Sequence, residues 1–350
     1  MYNKSYSNNA FLIDATGFVL KYWFSIPSVK TKNFESISAF LGFSNFVLKF
    51  LSNYQPRYIT FAFDESLGTC FRNDYYCDYK KNRELAPDEL KMQLNLCRQF
   101  LDLIGLNNNA SKVYEADDIL NTMAINARKL KLNNIILTND KDLFQMVYKD
   151  DIWWNYSDKK YSYEDLKEKL NFSPHNLSDF LGLMGDSVDN IPGAPGLGKK
   201  TAMALMGKYK NLENIFLNIN DIQSSLGQKY KRFIKIINDN KKIIYLSKKL
   251  ATLVYIEEID KNISIFNYAV SNENSQKDFY LHKKSEFEFL YNSIVRVLAL
   301  TTVFHTIGIQ VLRDYQGRNF YSSFSCGSTN QTTPEKILLI SRMWANIWFA

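Results

Sequence analysis

The residues with the clearest chemical potential are three carboxylates within four positions, Glu115, Asp117 and Asp118, at the predicted start of an apolar helix. An acidic helix start can simply cap the helix and interact favourably with its dipole. Capping needs only one or two such groups, and Glu115 and Asp118 are spaced to share one helix face, where like charges repel. A divalent cation such as Mg²⁺, which prefers oxygen ligands, relieves that repulsion. Both a simple cap and a metal site are consistent with this stretch.

Further acidic residues follow three apolar runs whose residue types are typical of buried strands. The runs end at Asp14, Asp64 and Asp140, and Asp142 comes two residues after the last. Helix-period segments separate the runs, at residues 36–53, 86–103 and 116–131. This alternation predicts a parallel sheet covered by helices, which binds ligands at the carboxyl ends of its strands. A single aspartate after a strand is commonly a turn residue, but several converging at one sheet edge favour a metal site.

A segment rich in cations and aromatic rings follows the second strand-end acid. Its cations are Arg72, Lys80, Lys81 and Arg83, and its rings are Phe71, Tyr75, Tyr76 and Tyr79. Cations can bind phosphate, and exposed bases can stack on rings. Taken alone, the segment is more typical of a solvated helix with an aromatic underside. Its position after Asp64 predicts that it covers the metal site, as a nuclease acting on single strands would require.

A second acidic pair, Asp186 and Asp189, follows a short apolar helix and precedes the glycine-rich run Gly193–Lys200. Glycines allow backbone N–H groups to face a phosphate, and the helix that follows presents its positive end to the same anion. The run lacks the spacing of a P-loop and follows a helix rather than a strand. A helix-hairpin-helix that holds a DNA backbone fits better, although a plain turn between helices would also explain the glycines.

The composition is that of an ordinary globular protein with a basic balance. The 350 residues are 46% hydrophobic and 23% charged, and the net charge is +7. A basic surface around an acidic site suits a polyanionic substrate. The four cysteines form no CxxC pair, which argues against structural zinc. The polar N-terminus has no apolar signal-peptide core, and polar residues interrupt the apolar run at 294–312, so we expect a cytoplasmic protein that does not cross a membrane.

Taken together, these motifs resemble the 5′-nuclease family, which includes the N-terminal domain of bacterial DNA polymerase I, bacteriophage 5′ exonucleases and flap endonucleases. The similarity extends over residues 11–292. It is carried, in chain order, by Asp14, Asp64, Glu115–Asp118, Thr138–Asp142 and Gly185–Gly193. 

The resemblance implies two Mg²⁺ ions, for which Mn²⁺ can substitute. It places Asp14, Asp64, Glu115 and Asp117 around the first ion. It assigns the second ion to Asp140, Asp142, Asp186 and Asp189, with Asp118 nearby.

The resemblance also implies a helical arch that contacts the scissile phosphate and the 5′ strand, with Lys80 and Arg83 as its catalytic cations. It implies a helix-hairpin-helix over residues 196–202 that holds duplex DNA and a K⁺ ion. The DNA contacts expected from the two elements are Arg72, Tyr79, Lys81, Gly196, Gly198, Lys199, Lys200 and Thr201. Two positions depart from the family pattern, because Ala15 replaces a glycine and Lys21 replaces an arginine. Lys21 keeps the charge but not the planar fork, so we expect a weaker phosphate contact there.

We therefore predict an α/β fold with a mostly parallel central sheet flanked by helices, a helical arch and a C-terminal helix-hairpin-helix subdomain. The predicted divisions are an exonuclease domain at 1–172, a hairpin domain at 173–292 and an unassigned tail at 293–350. The predicted function is 5′-3′ exonuclease and structure-specific flap endonuclease, acting as a monomer on 5′ flaps, nicks or 5′-ended duplexes during replication and repair, with a separate DNA polymerase as a partner. Two alternatives stay open: an inactive DNA-binding relative and an RNA-cleaving nuclease with a similar acidic sheet edge.

Overall fold

The computed structural model describes Tyr6 and residues 8–27 and 36–260. The chain divides into two compact units, one of residues 1–26 and 56–268 and the other of residues 27–55 and 269–350. The predicted boundary at residue 172 falls inside the first unit, and the predicted domain division remains a prediction. The predicted tail at 293–350, like residues 261–292, lies outside the described residues.

A six-stranded sheet forms the centre of the first unit, in the spatial order β3-β2-β1-β4-β5-β6. Every neighbouring pair is parallel except β5 and β6, which are antiparallel. The strands are β1 Asn9–Asp14, β2 Tyr58–Asp64, β3 Asn108–Ser111, β4 Asn133–Leu137, β5 Ile152–Trp154 and β6 Lys160–Ser162. The three central strands are buried along nearly their whole length, as expected of parallel strands covered on both faces. The predicted mostly parallel sheet is confirmed.

Helices account for most of the remaining described chain. They are α1 Ala15–Ser25, α2 Ser38–Tyr54, α3 Arg72–Tyr75, α4 Asp88–Leu103, α5 Ala116–Lys129, α6 Tyr163–Leu170, α7 Leu177–Met184, α8 Lys199–Tyr209, α9 Leu212–Leu217, α10 Ile222–Leu226, α11 Lys231–Asp239, α12 Lys241–Ala251 and α13 Glu257–Asp260. Short 3-10 turns occupy Asp142–Met146, Pro174–Asn176, Ile219–Asp221 and Gln228–Tyr230. Helix α2 belongs to the second unit. No helix among the described residues is long and apolar enough to span a membrane.

Helix α5 begins at the acidic stretch and lies against the sheet. Its apolar face buries Ile119, Leu120 and Met123, which recur at the three- and four-residue spacing of an amphipathic helix. At its start, the backbone N–H of Glu115 donates to Asp118 Oδ2 at 3.3 Å. Asp118 thus takes part in capping, the simpler of the two roles considered for this stretch.

The loop between α7 and α8 carries the second acidic pair in a fixed conformation. Backbone hydrogen bonds join Asp186 and Ile191 in both directions, at 2.9 and 2.7 Å. Gly193 has a φ of +62°, and a Cβ atom there would collide with the backbone of Met184 and Gly185. Only glycine fits such a close approach at positive φ. The loop is further held by α12, because the Gly193 N–H donates to Ser247 Oγ at 3.0 Å.

Candidate active site

Asp14 ends β1 at the carboxyl edge of the sheet and caps α1. Its Oδ1 accepts from the Gly17 N–H at 2.9 Å, and its Oδ2 accepts from the hydroxyls of Thr138 at 2.9 Å and Tyr156 at 3.1 Å. Burial, followed by the nearby charge of Asp140, raises the pKa of Asp14 despite these donors. The carboxylate is therefore held in one orientation in an acidic environment.

The segment after β4 brings two more carboxylates to the same edge. Thr138 Oγ1 accepts from the Asp140 N–H at 2.9 Å, and Asp140 Oδ1 accepts from the Asp142 N–H at 2.8 Å. Although the residue Asp140 as a whole is exposed, the protein around its carboxyl group excludes water. This loss of water, followed by the charge of Asp189, raises the pKa of Asp140. One threonine hydroxyl thus orients acids from both β1 and β4.

The closest group of acids joins this segment to the loop after α7. Ligand oxygens of Asp142, Asp186 and Asp189 lie within 4.8 Å of one another. Burial, with the charges of Asp140, Asp189 and Asp186, raises the pKa of Asp142 to about 8. Three converging carboxylates whose charges oppose one another fit a hard divalent cation, which takes oxygen ligands and offsets the repulsion. The donor set therefore suits the ion that the sequence predicts.

The acids expected around a first ion are arranged less tightly. Asp64 ends β2, and its Oδ1 accepts from the N–H and hydroxyl of Ser66 at 3.0 and 2.9 Å. Asp117 accepts no hydrogen bond from the described residues, and burial and the charge of Asp140 raise its pKa well above the ordinary value. In the described part of the chain, Asp14, Asp64, Glu115 and Asp117 do not form a group as close as the one around Asp142.

Glu115 already has cationic and hydroxyl partners at both carboxylate oxygens. Lys80 donates to Oε1, while Arg72 at 2.8 Å and Tyr79 at 2.9 Å donate to Oε2. Although burial favours the protonated acid, the charges of Lys80 and Arg72 hold the pKa of Glu115 below its ordinary value. Glu115 is therefore an ionised residue that positions Lys80.

Three side chains with predicted roles at the site are buried and bound to other protein groups. Arg72, expected to contact DNA, is 2% exposed, and its guanidinium contacts Asp118 at 2.6 and 2.8 Å. Asp118, expected near the metal ions, is fully buried and has both oxygens bound to Arg72. Tyr79, another expected DNA contact, is 5% exposed and donates to Glu115. These three side chains lie in the protein interior next to the site, where Arg72 and Tyr79 both contact Glu115.

Lys80 and Arg83 lie beside the closest acids, as expected of cations near a scissile phosphate. Lys80 Nζ is 3.5 Å from Asp189 Oδ2, and Arg83 forms an ion pair with Asp189 Oδ1. Lys80 has a φ of +55°, and its N–H donates to the Asp189 carbonyl at 3.0 Å. The segment assigned to an arch consists of α3 and turns before α4, and its turns are bound to the Asp186–Gly193 loop.

Several residues that hold the site together could not be recognised from the sequence. Asn190 donates to the Asp78 carbonyl at 2.6 Å, and Asn82 donates to the Ser187 carbonyl at 2.8 Å. Asparagine is common in turns, so these positions gave no signal of contacts across more than a hundred residues. Tyr156, in a loop between short strands, gave none either.

The remaining predicted DNA contacts lie on the surface. Lys21 is exposed and donates to the Tyr156 carbonyl at 3.2 Å, and Lys81 is exposed and pairs with Asp78. In the hairpin, Gly196 has a φ of +82° and Gly198 precedes the first turn of α8. Lys199 and Lys200 are exposed in that turn, and the Thr201 N–H donates to the Gly198 carbonyl at 3.0 Å.

An acidic edge of a parallel sheet, flanked by cations and followed by a glycine-rich helical hairpin, is an arrangement typical of nucleases. The chain belongs to the 5′-3′ exonuclease family. Residues 9–171 match the family model for its N-terminal resolvase-like domain, and residues 172–274 match that for its C-terminal SAM fold.

Sequence relatives are of two lengths. A 5′-3′ exonuclease of Buchnera aphidicola subsp. Baizongia pistaciae is 34% identical over 281 residues, which cover 79% of this chain and 91% of the relative. A 5′-3′ exonuclease of Aquifex aeolicus is 30% identical over 73% of this chain and 86% of the relative. DNA polymerase I of Caldicellulosiruptor bescii is 30% identical over 83% of this chain, but the match spans only 34% of that polymerase. The chain thus spans about a third of its polymerase relatives.

Two proteins with solved structures share this fold, and both structures contain DNA. Bacteriophage T5 flap endonuclease, in a pseudo-enzyme-product complex with DNA and metal ions, has a TM-score of 0.58 at 17% identity and covers 73% of this chain and 98% of its own. The catalytic core of Rad2 in complex with a DNA substrate has a TM-score of 0.51 at 17% identity, covering 83% and 93%. At this identity the likeness concerns the fold.

Proposed function

We propose that this chain is a divalent-metal-dependent 5′-3′ exonuclease and flap endonuclease that hydrolyses DNA. The observation that carries the proposal is the convergence of Asp142, Asp186 and Asp189 within 4.8 Å, next to the cations of Lys80 and Arg83. An acidic group of this kind binds a cation, and adjacent basic groups neutralise a phosphodiester. Membership of the exonuclease family supports the same reaction.

The proposed metal is Mg²⁺, at two positions. Asp14, Asp64, Glu115 and Asp117 would hold one ion, and Asp140, Asp142, Asp186 and Asp189 the other. When bound, such ions supply an activated water and stabilise the leaving oxygen. Thr138 and Tyr156 keep Asp14 oriented. Lys80 and Arg83 offset charge on the scissile phosphate, a role typically worth about 3 kcal/mol.

The proposed DNA path runs from this edge to the hairpin. Lys21 and Lys81 are exposed cations that suit phosphates of the 5′ strand. Gly198 and the first turn of α8, with Lys199 and Lys200, suit the phosphates of a duplex backbone. The proposed K⁺ ion would be held by backbone carbonyls of residues 196–202. Proposed substrates are 5′ flaps, nicks and 5′-ended duplexes. We propose that the chain acts as a monomer in the cytoplasm with a separate DNA polymerase as a partner, and its match to about a third of a DNA polymerase I supports this link to DNA synthesis.

The test is digestion of a 5′-labelled DNA flap, a nicked duplex, a blunt duplex and an RNA flap by the purified chain with Mg²⁺, Mn²⁺ or EDTA. We expect cleavage of the DNA substrates with either ion and none in EDTA. Asp186→Asn should abolish cleavage while DNA binding stays measurable, and Asp88→Asn, at the exposed start of α4, should cleave normally. Faster cleavage of RNA, or full turnover by Asp186→Asn, would contradict the proposal.

A further inference from the structure

The guanidinium of Arg72 is shared by three separate parts of the chain. It lies in α3 and contacts Glu115 and Asp118 at the start of α5. It also donates to the carbonyls of Leu250 at 2.8 Å and Thr252 at 2.9 Å, at the end of α12. An arginine has five N–H donors, and these contacts use all of them. Such complete use fixes the guanidinium in position and orientation.

These contacts matter for stability because the charged groups are buried. Arg72 is 2% exposed, Glu115 is 4% exposed and Asp118 is fully buried. Buried charges are tolerated only when they are paired and their hydrogen-bonding groups are satisfied. Asp118 is satisfied by Arg72 and by the Val254 N–H, which donates to Oδ1 at 2.9 Å. Arg72 therefore neutralises the start of α5, and the chain at and after the end of α12 holds both Arg72 and Asp118 by backbone hydrogen bonds.

Glu115 connects Arg72 to Lys80 and thus to the candidate active site. Its Oε2 accepts from Arg72, and its Oε1 accepts from Lys80, the cation beside Asp189. Asp117 lies two residues beyond Glu115, in the first turn of α5. A shift of Arg72 would thus move Glu115, and with it Lys80 and the acid-bearing helix start.

Helix α12 supports the other acidic segment as well. Ser247 accepts from the Gly193 N–H in the loop that carries Asp186 and Asp189. The last turns of α12 are therefore in contact with both acidic segments, through Ser247 on one side and through Arg72 on the other. Because α12 packs on α7 of the hairpin region, the DNA-holding part and the acidic edge share this support.

We propose that Arg72 is a positioning residue, which couples the end of α12 to the metal-binding acids and Lys80 and contacts neither DNA nor metal itself. The activity part of this inference rests on the proposed nuclease function, whereas its metal-binding part can be measured without DNA.

The test compares Arg72→Lys with Arg128→Lys in the full chain. Arg128 is a matched control, because it lies at the far end of α5 and pairs with buried Asp151 and the Met146 carbonyl. Both substitutions keep the charge and remove the planar fork. Thermal unfolding fixes a temperature at which both variants are fully folded. Mn²⁺ affinity is then measured by calorimetry without DNA, and single-turnover cleavage and DNA affinity are measured separately.

We expect Arg72→Lys to bind Mn²⁺ at least about tenfold more weakly and to cleave saturating DNA about tenfold or more slowly, since misplaced groups lose catalytic rate. Its DNA affinity should change less than about threefold, and Arg128→Lys should match the wild type in all three measurements. Equal behaviour of the two variants would overturn the inference. A loss confined to DNA affinity would do so too, because it would make Arg72 a DNA contact.

Should Arg72→Lys fail to fold, Asp118→Asn and Asp151→Asn form a second pair. Both aspartates are buried partners of an arginine, and only Asp118→Asn should weaken Mn²⁺ binding and cleavage. A wild-type chain that binds Mn²⁺ but cleaves no DNA would count against the proposed function alone, since the Mn²⁺ comparison would still decide the role of Arg72.

Discussion

At the scale of single residues, the cations of the site have contacts as well defined as those of its acids. Lys80 is 9% exposed and lies between Glu115 and Asp189. Its ammonium opposes acids that would otherwise repel one another, and it stands where a phosphate would approach the proposed metal ions. The same side chain therefore stabilises the folded state and, under the proposed function, offsets charge on the scissile phosphate.

We expect Lys80→Ala to slow single-turnover flap cleavage about 100-fold or more, because the loss of one preorganised charge typically costs that much. DNA affinity, measured by fluorescence anisotropy with Ca²⁺ in place of Mg²⁺, should change far less. Lys91→Ala is the control, since Lys91 is an exposed cation paired with Asp88 on α4. An unchanged cleavage rate for Lys80→Ala would remove this residue from the reaction.

The sequence was informative about the acids but did not reveal the partners of Arg72. An aspartate at or just after the end of a strand is positioned by the sheet itself, so Asp14, Asp64 and Asp140 could be predicted from pattern alone. The partners of Arg72 lie up to 180 positions away, and no local spacing encodes them. An arginine among aromatic residues looks the same in sequence whether it faces DNA or a buried carboxylate.

At the scale of elements, the principal strands and helices were predictable and the edges of the sheet were not. The runs ending at Asp14, Asp64 and near Asp140 form β1, β2 and β4, whereas β3 is the polar Asn108–Ser111. An edge strand is stabilised by its backbone pairing with β2, which needs no apolar side chains. Strands β5 and β6 have only three residues each, too few for a period to show. Helix α1 was missed as well, at Ala15–Ser25.

The loop after α7 depends on Gly193 for its shape, and we expect Gly193→Ala to destabilise the protein strongly. Its φ of +62° and the collision of a Cβ with Met184 and Gly185 act together. Gly68→Ala is the matched control, because Gly68 has a φ of +83° but open space around it. The control should cost about 1 kcal/mol from backbone strain.

In urea unfolding, Gly193→Ala should lose at least about 2 kcal/mol more than Gly68→Ala, since steric overlap is added to the strain. It should also weaken Mn²⁺ binding, because Asp186 and Asp189 lie in the displaced loop. Equal losses for the two alanine variants would show that the loop adapts without the close approach.

At the scale of the whole molecule, the acidic edge makes the metal-free protein less stable as pH rises. Burial, with the charges of Asp140, Asp189 and Asp186, raises the pKa of Asp142 to about 8, against about 4 in the unfolded chain. Between these values the folded state binds more protons than the unfolded state, so the free energy of unfolding falls as pH rises through this window.

We therefore expect Mg²⁺ or Mn²⁺ to raise the melting temperature more at about pH 8 than at about pH 6, because the ions stabilise ionised acids that protons otherwise neutralise. Scanning fluorimetry in EDTA and in saturating Mg²⁺ measures the difference. The control is Asp142→Asn, which in EDTA should lose less stability between the two pH values than the wild type. Melting curves indifferent to both ions would contradict the proposed metal site.

The hydrogen bonds between residues 78–82 and 187–190 also determine when the site can form during protein synthesis. A ribosome makes β1, β2 and β4, with their acids, long before it reaches Asp186, Asp189 and the two carbonyls that hold Arg72. Contacts so distant along the chain close late. A nascent chain that stops near residue 180 thus carries six of the eight proposed metal-binding acids but lacks Asp186 and Asp189. We therefore expect nuclease activity only once synthesis has passed Val254.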